Sequence, residues 1–110
     1  MARPRRSDLG VRRSGTAVRA ADTDGNPATI ADPTWESLRP TPAAPDYASA
    51  HAVEGGAISE VPARFFGDQV SFVTTSTTLP GATRSFTSFA QAAEENGLSR
   101  IYIGFHFRFA

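Results

Sequence analysis

The stretch "SFAQAAEENGLSRIYIGFH", residues 88–106, decides how the chain is interpreted. Ser88 and Gln91 stand at the spacing of a capping box, in which two side chains satisfy the free amides of a helix start. Apolar residues follow at helical spacing, and Gly97 is a typical helix stop. The sequence therefore predicts a helix over residues 88–96, with Gly97 ending it.

The segment after Ser99 allows two interpretations. From Ile101 to Phe109 apolar residues alternate with others, and this period of two is typical of a strand. The other interpretation continues the helix through Ser99. Arg100 and His106 lie near one face in either case, more closely on a strand, because their separation is an even number of residues.

A second helix and a short extended segment precede this region. Apolar residues recur at helical spacing over residues 49–66, and Gly67 follows as a stop. Residues 70–77, "VSFVTTST", are rich in β-branched side chains and predict a short strand, and residues 79–84 predict a turn. These patterns indicate a mainly helical fold that allows one short β-hairpin.

Long connections rich in proline and glycine join the predicted elements. Proline fixes its own backbone and restricts the residue before it, which favours extended chain over core secondary structure. Between residues 26 and 47 the prolines are Pro27, Pro33, Pro40, Pro42 and Pro45.

Composition bounds the class of protein. A chain of 110 residues with 40% hydrophobic residues fits one globular domain, and the absence of cysteine excludes disulfides and thiolate metal sites. The net charge is zero, but residues 1–19 concentrate six arginines: Arg3, Arg5, Arg6, Arg12, Arg13 and Arg19. We expect residues 1–15 to be a disordered leader and residues 16–110 to form the domain. A nucleic-acid arm is the alternative interpretation, and it is not favoured because no aromatic residue accompanies the arginines.

No stretch of the sequence predicts membrane insertion. No apolar run approaches the roughly 18 residues of a membrane-spanning helix. The first residues also lack the apolar core of a signal peptide. We expect a protein without a membrane span, and its compartment stays open.

Five polar residues could together hold a tetrahedral anion: Ser49, His51, Ser99, Arg100 and His106. Arginine offers a fixed fork of donors to an oxyanion, and serine hydroxyls add neutral donors. One histidine can attack or coordinate the central atom while the other moves protons near neutral pH. These residue types are common, so by themselves they select no reaction.

Two motifs add specificity. "SRIYIGFH", residues 99–106, matches S-R-x5-H in full, and "ASAH", residues 48–51, keeps the serine and histidine of P-S-G-H. On these motifs, and on the flanking text of residues 16–110, the chain resembles the superfamily of vanadium-dependent haloperoxidases and type-2 phosphatidic acid phosphatases.

The resemblance implies a fold, a cofactor and roles. It implies part of a helical bundle, and so favours helix after Ser99. His106 resembles the histidine that binds vanadate, or that becomes phosphorylated in the phosphatases, and His51 resembles the acid–base histidine. Arg100, Ser49 and Ser99 would bind the oxyanion. Vanadate would be the cofactor, and the small anions implied are vanadate, phosphate and halide, with peroxide as oxidant.

Several positions depart from the family pattern. Ala48 and Ala50 replace the proline and glycine of P-S-G-H, the second of the three family motifs in chain order. In the first motif, K-x6-R-P, Arg6 and Arg13 match only by counting, because their surroundings differ from the family. Ala110 stands where the phosphatases place an aspartate that orients the histidine. We therefore expect a truncated member with weak or no activity alone, and the alternatives are a phosphatase-like enzyme or a non-catalytic fragment that self-associates or docks on a partner.

Overall fold

The computed structural model describes residues 12–110. The described elements run in the order α1 (Ser14–Arg19), a 3-10 turn (Ala21–Thr23), α2 (Ala50–Phe66), β1 (Phe72–Thr75), β2 (Thr83–Phe86) and α3 (Phe89–Tyr102). The prediction of a mainly helical chain with a short hairpin is confirmed. Within residues 12–110 no helix is both long and apolar enough to cross a membrane.

The chain divides into two compact units. The first joins residues 12–49 to Leu98–Ala110, and we call it the split unit. The second is Ala50–Gly97, and we call it the hairpin unit. Each is described by itself.

A phenylalanine cluster is the core of the hairpin unit. Strands β1 and β2 pair antiparallel with Phe72 opposite Phe86, and their rings lie 5.5 Å apart. The ring of Phe89, at the start of α3, stacks on Phe72 at 5.3 Å. Phe86 is buried with 8% of its surface exposed, so the hairpin is stabilised by one small apolar core.

Helix α2 confirms the predicted helix of residues 49–66 and begins one residue later. Gly55 of α2 lies beside Asn96 of α3, where an added Cβ would lie 2.2 Å from Asn96 Nδ2. A larger residue at Gly55 would require the Asn96 side chain to move. The apolar stripe of α2 is not a core face, because its large side chains are exposed: Val53, Ile58, Val61, Phe65 and Phe66.

Helix α3 confirms the predicted start but not the predicted end. Ser88 Oγ accepts a hydrogen bond from Gln91 N at 3.0 Å, and Gln91 Oε1 accepts one from Thr87 N at 2.8 Å. The helix continues through Gly97 to Tyr102, so the predicted stop at Gly97 is wrong. Glycine inside a helix costs only about 1 kcal/mol, which the packing of the surrounding chain can offset.

The strand interpretation of the last segment is also wrong. Residues up to Tyr102 are helical, and the chain then turns at Gly104, whose φ of +84° suits glycine alone. The alternation of apolar residues reflects a tight turn and not a pleat. The helical interpretation, favoured by the family resemblance, is the correct one as far as Tyr102.

The split unit is organised around Trp35. An added Cβ at Gly104 would lie 2.9 Å from the Trp35 ring, and one at Gly15 would lie 3.2 Å from it. Ser14 Oγ donates to the carbonyl of Gly104 at 2.8 Å. Residues 14 and 15 were expected in a disordered leader, but these contacts place them in α1; residues 1–11 of that leader lie outside the described residues.

The proline-rich stretch contains no helix or strand between residues 26 and 49, as predicted. It is nevertheless held in place by hydrogen bonds to distant residues. Arg19 Nε donates to Trp35 O at 2.9 Å, and Leu38 N donates to Ile103 O at 3.0 Å. The stretch is therefore part of the packed split unit and carries residues that matter for the candidate site.

Candidate oxyanion site

Arg100 and His106 are brought together by the turn that follows α3. The amides of Phe105 and His106 both donate to the carbonyl of Arg100, at 3.1 and 3.2 Å. The guanidinium carbon of Arg100 lies 4.9 Å from the centroid of the Phe105 ring, a cation–π contact. The six-residue spacing between Arg100 and His106 in "SRIYIGFH" thus becomes one local backbone structure.

The guanidinium of Arg100 has unused donor capacity. Its Nε is buried and lacks a hydrogen-bond partner within the described residues. A buried charged donor without an acceptor is costly, and native proteins rarely keep one without a reason. A tetrahedral oxyanion offers the acceptors that a guanidinium fork takes best. The donor chemistry of this position therefore fits vanadate or phosphate.

His106 is held at one ring nitrogen. Its side chain is 10% exposed, and Nδ1 lies 2.6 Å from the backbone carbonyl oxygen of Asp46 and 3.4 Å from Asp46 Oδ1. Nδ1 is therefore engaged, and Nε2 is the nitrogen left for other chemistry.

Asp46 is a member of the site that the sequence analysis missed. It is fully buried, its Oδ1 accepts from Phe107 N at 2.9 Å, and its own amide donates to Arg12 O at 2.9 Å. Burial raises the pKa of its carboxyl, opposed by the Phe107 hydrogen bond and by the charge of His106. From the sequence, Ala110 stands where the phosphatases place the aspartate that orients the histidine, whereas the carboxylate beside His106 in this structure comes from the proline-rich stretch.

Two serines of the predicted set lie in the same unit. Ser49 is buried, and its amide donates to Ala110 O at 2.9 Å, which ties the second motif to the end of the chain. Ser99 is exposed and its carbonyl accepts from Ile103 N at 3.1 Å, inside α3. The roles of both hydroxyls stay predictions.

His51 lies in the hairpin unit, in the first turn of α2. Its residue is exposed, and its carbonyl accepts from Asn96 Nδ2 at 2.5 Å. Its acid–base role stays a prediction. Of the positions that match the first motif by counting, Arg13 is the exposed N-cap of α1, and Arg6 lies outside the described residues.

The fold and the linked pair of Arg100 and His106 define a helical domain with a candidate site for a tetrahedral anion. The family model described as "VCPO second helical-bundle domain" matches residues 2–110. The chain therefore belongs to the vanadium haloperoxidase family. The match begins well before residue 16, so it includes the arginine-rich segment.

A solved structure supports the same assignment. The chain is similar to the first bacterial vanadium-dependent iodoperoxidase of known crystal structure, with 37% sequence identity and a TM-score of 0.72. The similarity covers 89% of this chain and 22% of that chain, so this chain spans about a fifth of the iodoperoxidase. No curated protein matches the chain at a comparable level.

Proposed function

We propose that the chain is a haloperoxidase-type domain with a remnant oxyanion site, in which Arg100 and His106 bind vanadate. The observation that carries the proposal is the buried, unpartnered Nε of Arg100, next to a histidine tied to the same turn. An arginine that only stabilised the fold would be expected to use this donor within the protein.

The chain's own residues would divide the work. Arg100 would neutralise the equatorial oxygens, with the Ser49 and Ser99 hydroxyls as neutral donors. His106 would offer Nε2 to the central atom, and the acid–base role of His51, in the hairpin unit, stays a prediction. In the family, bound vanadate activates peroxide, and the activated peroxide oxidises halide. The similar structure is an iodoperoxidase, so iodide is the first halide to test.

Low activity is part of the proposal. Oxyanion catalysis depends on donors held rigidly by surrounding residues, and Ala50 lacks the backbone freedom of the family's glycine. The described residues bury few apolar side chains, with Ala17 and Phe86 as the buried hydrophobic residues. A small core holds its polar groups less firmly, so we expect the chain to bind the anion but to show little or no catalytic turnover.

Isothermal titration with orthovanadate tests the proposal. We expect saturable binding to the full chain that is lost in His106→Ala and in Arg100→Ala. Arg108→Ala is the matched control, because Arg108 is an exposed arginine of the same segment, and it should bind as the unaltered chain does. Equal binding by all four proteins, or none by the folded chain, would contradict the proposal.

Assays of turnover decide between two activities of such a site. Peroxide-dependent iodide oxidation that needs vanadate would assign a haloperoxidase. Hydrolysis of a phosphate monoester without vanadate would favour the phosphatase alternative, because the same histidine can accept a phosphoryl group. Neither activity, with vanadate binding intact, is the expected outcome for this chain alone.

An association surface is the second candidate function, and it rests on α2. Ile58 and Phe65 are 71% and 81% exposed and lie about two turns apart on the helix. An open apolar cavity of about 330 Å³ lies beside Ile58 and is also lined by Pro62, Phe72 and Phe89 among others. Exposed apolar surface of this kind is typical of contact sites. The proposed occupant is a second copy of the chain.

Light scattering over a range of concentrations tests this candidate. A dimer that dissociates on dilution, and that is lost in Ile58→Ser with Phe65→Ser, would support it. Leu79→Ser is the control, because Leu79 is exposed on the hairpin turn and outside this helix. A monomer at every concentration would exclude self-association.

A further inference from the structure

The hydrogen bond between His106 and Asp46 fixes where the imidazole proton lies. A backbone carbonyl oxygen can only accept, so a 2.6 Å contact with Nδ1 requires a proton on Nδ1. In the neutral ring, Nε2 then carries the free lone pair. The Nε2–H tautomer, the other neutral form, would place two acceptors against each other at that distance.

Asp46 is held in place through its amide and through its side chain. The amide of Asp46 donates to Arg12 O, and its Oδ1 accepts from Phe107 N, both at 2.9 Å. Phe107 is the next residue after His106, so this carboxylate ties Asp46 to the backbone that carries the imidazole. Asp46 thus contacts the imidazole of His106 through its carbonyl and the backbone of Phe107 through its side chain.

The remaining carboxylate oxygen has no evident structural use. Asp46 is 0% exposed, and its Oδ2 lacks a partner within the described residues. Clamping Phe107 needs one acceptor, which a neutral asparagine or serine could supply without the cost of burying a charge. A carboxylate 3.4 Å from Nδ1 places a negative charge beside the ring, which a neutral clamp lacks.

We propose that Asp46 is the positioning residue of His106. Its carbonyl fixes the proton on Nδ1, and its buried carboxylate ties Asp46 to the backbone of Phe107, so that Nε2 faces the anion. That Nε2 faces the anion rests on the proposed function. The tautomer and the role of Asp46 in fixing it do not, because both follow from contacts within the split unit.

Nitrogen NMR of the full chain tests the tautomer directly. The sequence contains two histidines, so a His51→Gln variant assigns the ring signals of His106. Spectra are taken at about pH 8.5, two units above the ordinary pKa of histidine, because a tautomer is defined only for a neutral ring. We expect the protonated-nitrogen signature at Nδ1 and the lone-pair signature at Nε2. A proton on Nε2 in the unaltered chain would overturn the proposal.

Variants separate positioning from simple folding. Asp46→Ala should mix the two tautomers and weaken vanadate binding by about 10- to 100-fold, the usual effect of losing a residue that orients a ligand. Asp46→Asn keeps an acceptor for Phe107 N, so it should keep the Nδ1–H tautomer and lose about tenfold or less in affinity. Asp32→Ala is the control, because Asp32 also accepts a backbone hydrogen bond but from Thr34 in an exposed turn.

Each outcome counts for or against the proposal. An unchanged tautomer and unchanged affinity in Asp46→Ala would overturn it. If Asp46→Ala does not fold, the tautomer of the unaltered chain and the behaviour of Asp46→Asn still decide. If the tautomer responds as expected but no protein binds vanadate, the proposed function fails while the positioning role of Asp46 stands.

Discussion

The two units are stabilised by different kinds of interaction. The hairpin unit has an aromatic core of Phe72, Phe86 and Phe89, residues close in the sequence. The split unit buries polar side chains, Asp46 and Ser49 among them, and its hydrogen bonds join residues such as Asp46 and Phe107 across most of the chain. The first kind of core forms locally, whereas the second requires distant segments to meet.

This difference indicates where function lies. Apolar contacts are weakly directional, but buried hydrogen bonds fix particular atoms in particular places. The candidate site residues Arg100 and His106 belong to the split unit, where such bonds orient them. Among the described residues of the hairpin unit the buried polar side chain is Ser88, which caps α3, and the stability of this unit should be the more tolerant of change at its surface.

The largest expected effect is on the aromatic core. Phe86→Ala removes a buried ring and should lower the free energy of unfolding by about 3–5 kcal/mol, since it leaves a cavity. Phe65→Ala, at an exposed position, should change it by no more than about 0.5 kcal/mol. Urea unfolding followed by fluorescence and circular dichroism measures both. Similar losses in the two variants would mean that the hairpin core is not what stabilises this unit.

The next effect is on the turn that closes the candidate site. Gly104→Ala forces a left-handed residue and a Cβ 2.9 Å from Trp35, which should cost about 2–4 kcal/mol. Gly81→Ala is a matched control, because Gly81 has the same φ of +84° and nothing within 4 Å of an added Cβ. It should cost only about 1–2 kcal/mol. Equal costs in urea unfolding would show that Trp35 can move away freely.

A smaller effect is expected at the start of α3. Ser88→Ala removes the acceptor for Gln91 N and should cost about 1 kcal/mol. Ser85→Ala, at an exposed strand position, is the control and should lie within about 0.5 kcal/mol of the unaltered chain. Thermal unfolding by circular dichroism compares them. A neutral Ser88→Ala would mean that Gln91 and the aromatic contacts suffice to begin the helix.

The smallest expected effect is on the pH dependence of stability, to which two aspartates of the split unit should contribute with opposite sign. The raised pKa of Asp46 means that the folded protein keeps a proton that the unfolded chain has lost, so stability falls as pH rises from about 4 through the folded pKa. The hydrogen bonds from Thr34 lower the pKa of Asp32, so its contribution is present above the unfolded pKa and is lost as pH falls through the folded pKa.

Replacing Asp46 or Asp32 with asparagine should remove the contribution of that residue to the pH dependence of stability. Stability should be measured by urea unfolding at a series of pH values. Asp46→Asn should make the unfolding free energy fall less steeply with rising pH, and Asp32→Asn should make it fall less steeply with falling pH. A change of the same sign in both variants would contradict the assigned environments.

Local features of the fold could be predicted from the sequence. The capping residues Ser88 and Gln91, the helix that ends before Gly67 and the β-branched strand at residues 70–77 all depend on neighbours within a few positions. The end of α3 could not, because whether a helix passes Gly97 depends on what packs against the next turn. The strand interpretation of the segment after Ser99 was wrong for the same reason.

The sequence by itself determined the family, through "SRIYIGFH", and the pairing of Arg100 with His106, since six residues of one turn bring them together. Only the tertiary structure decided the partner of that histidine. Asp46 lies 60 residues before His106 in a proline-rich stretch without regular structure, and no local pattern predicts that contact. Long-range hydrogen bonds depend on how the whole unit packs, and spacing along a chain does not encode them.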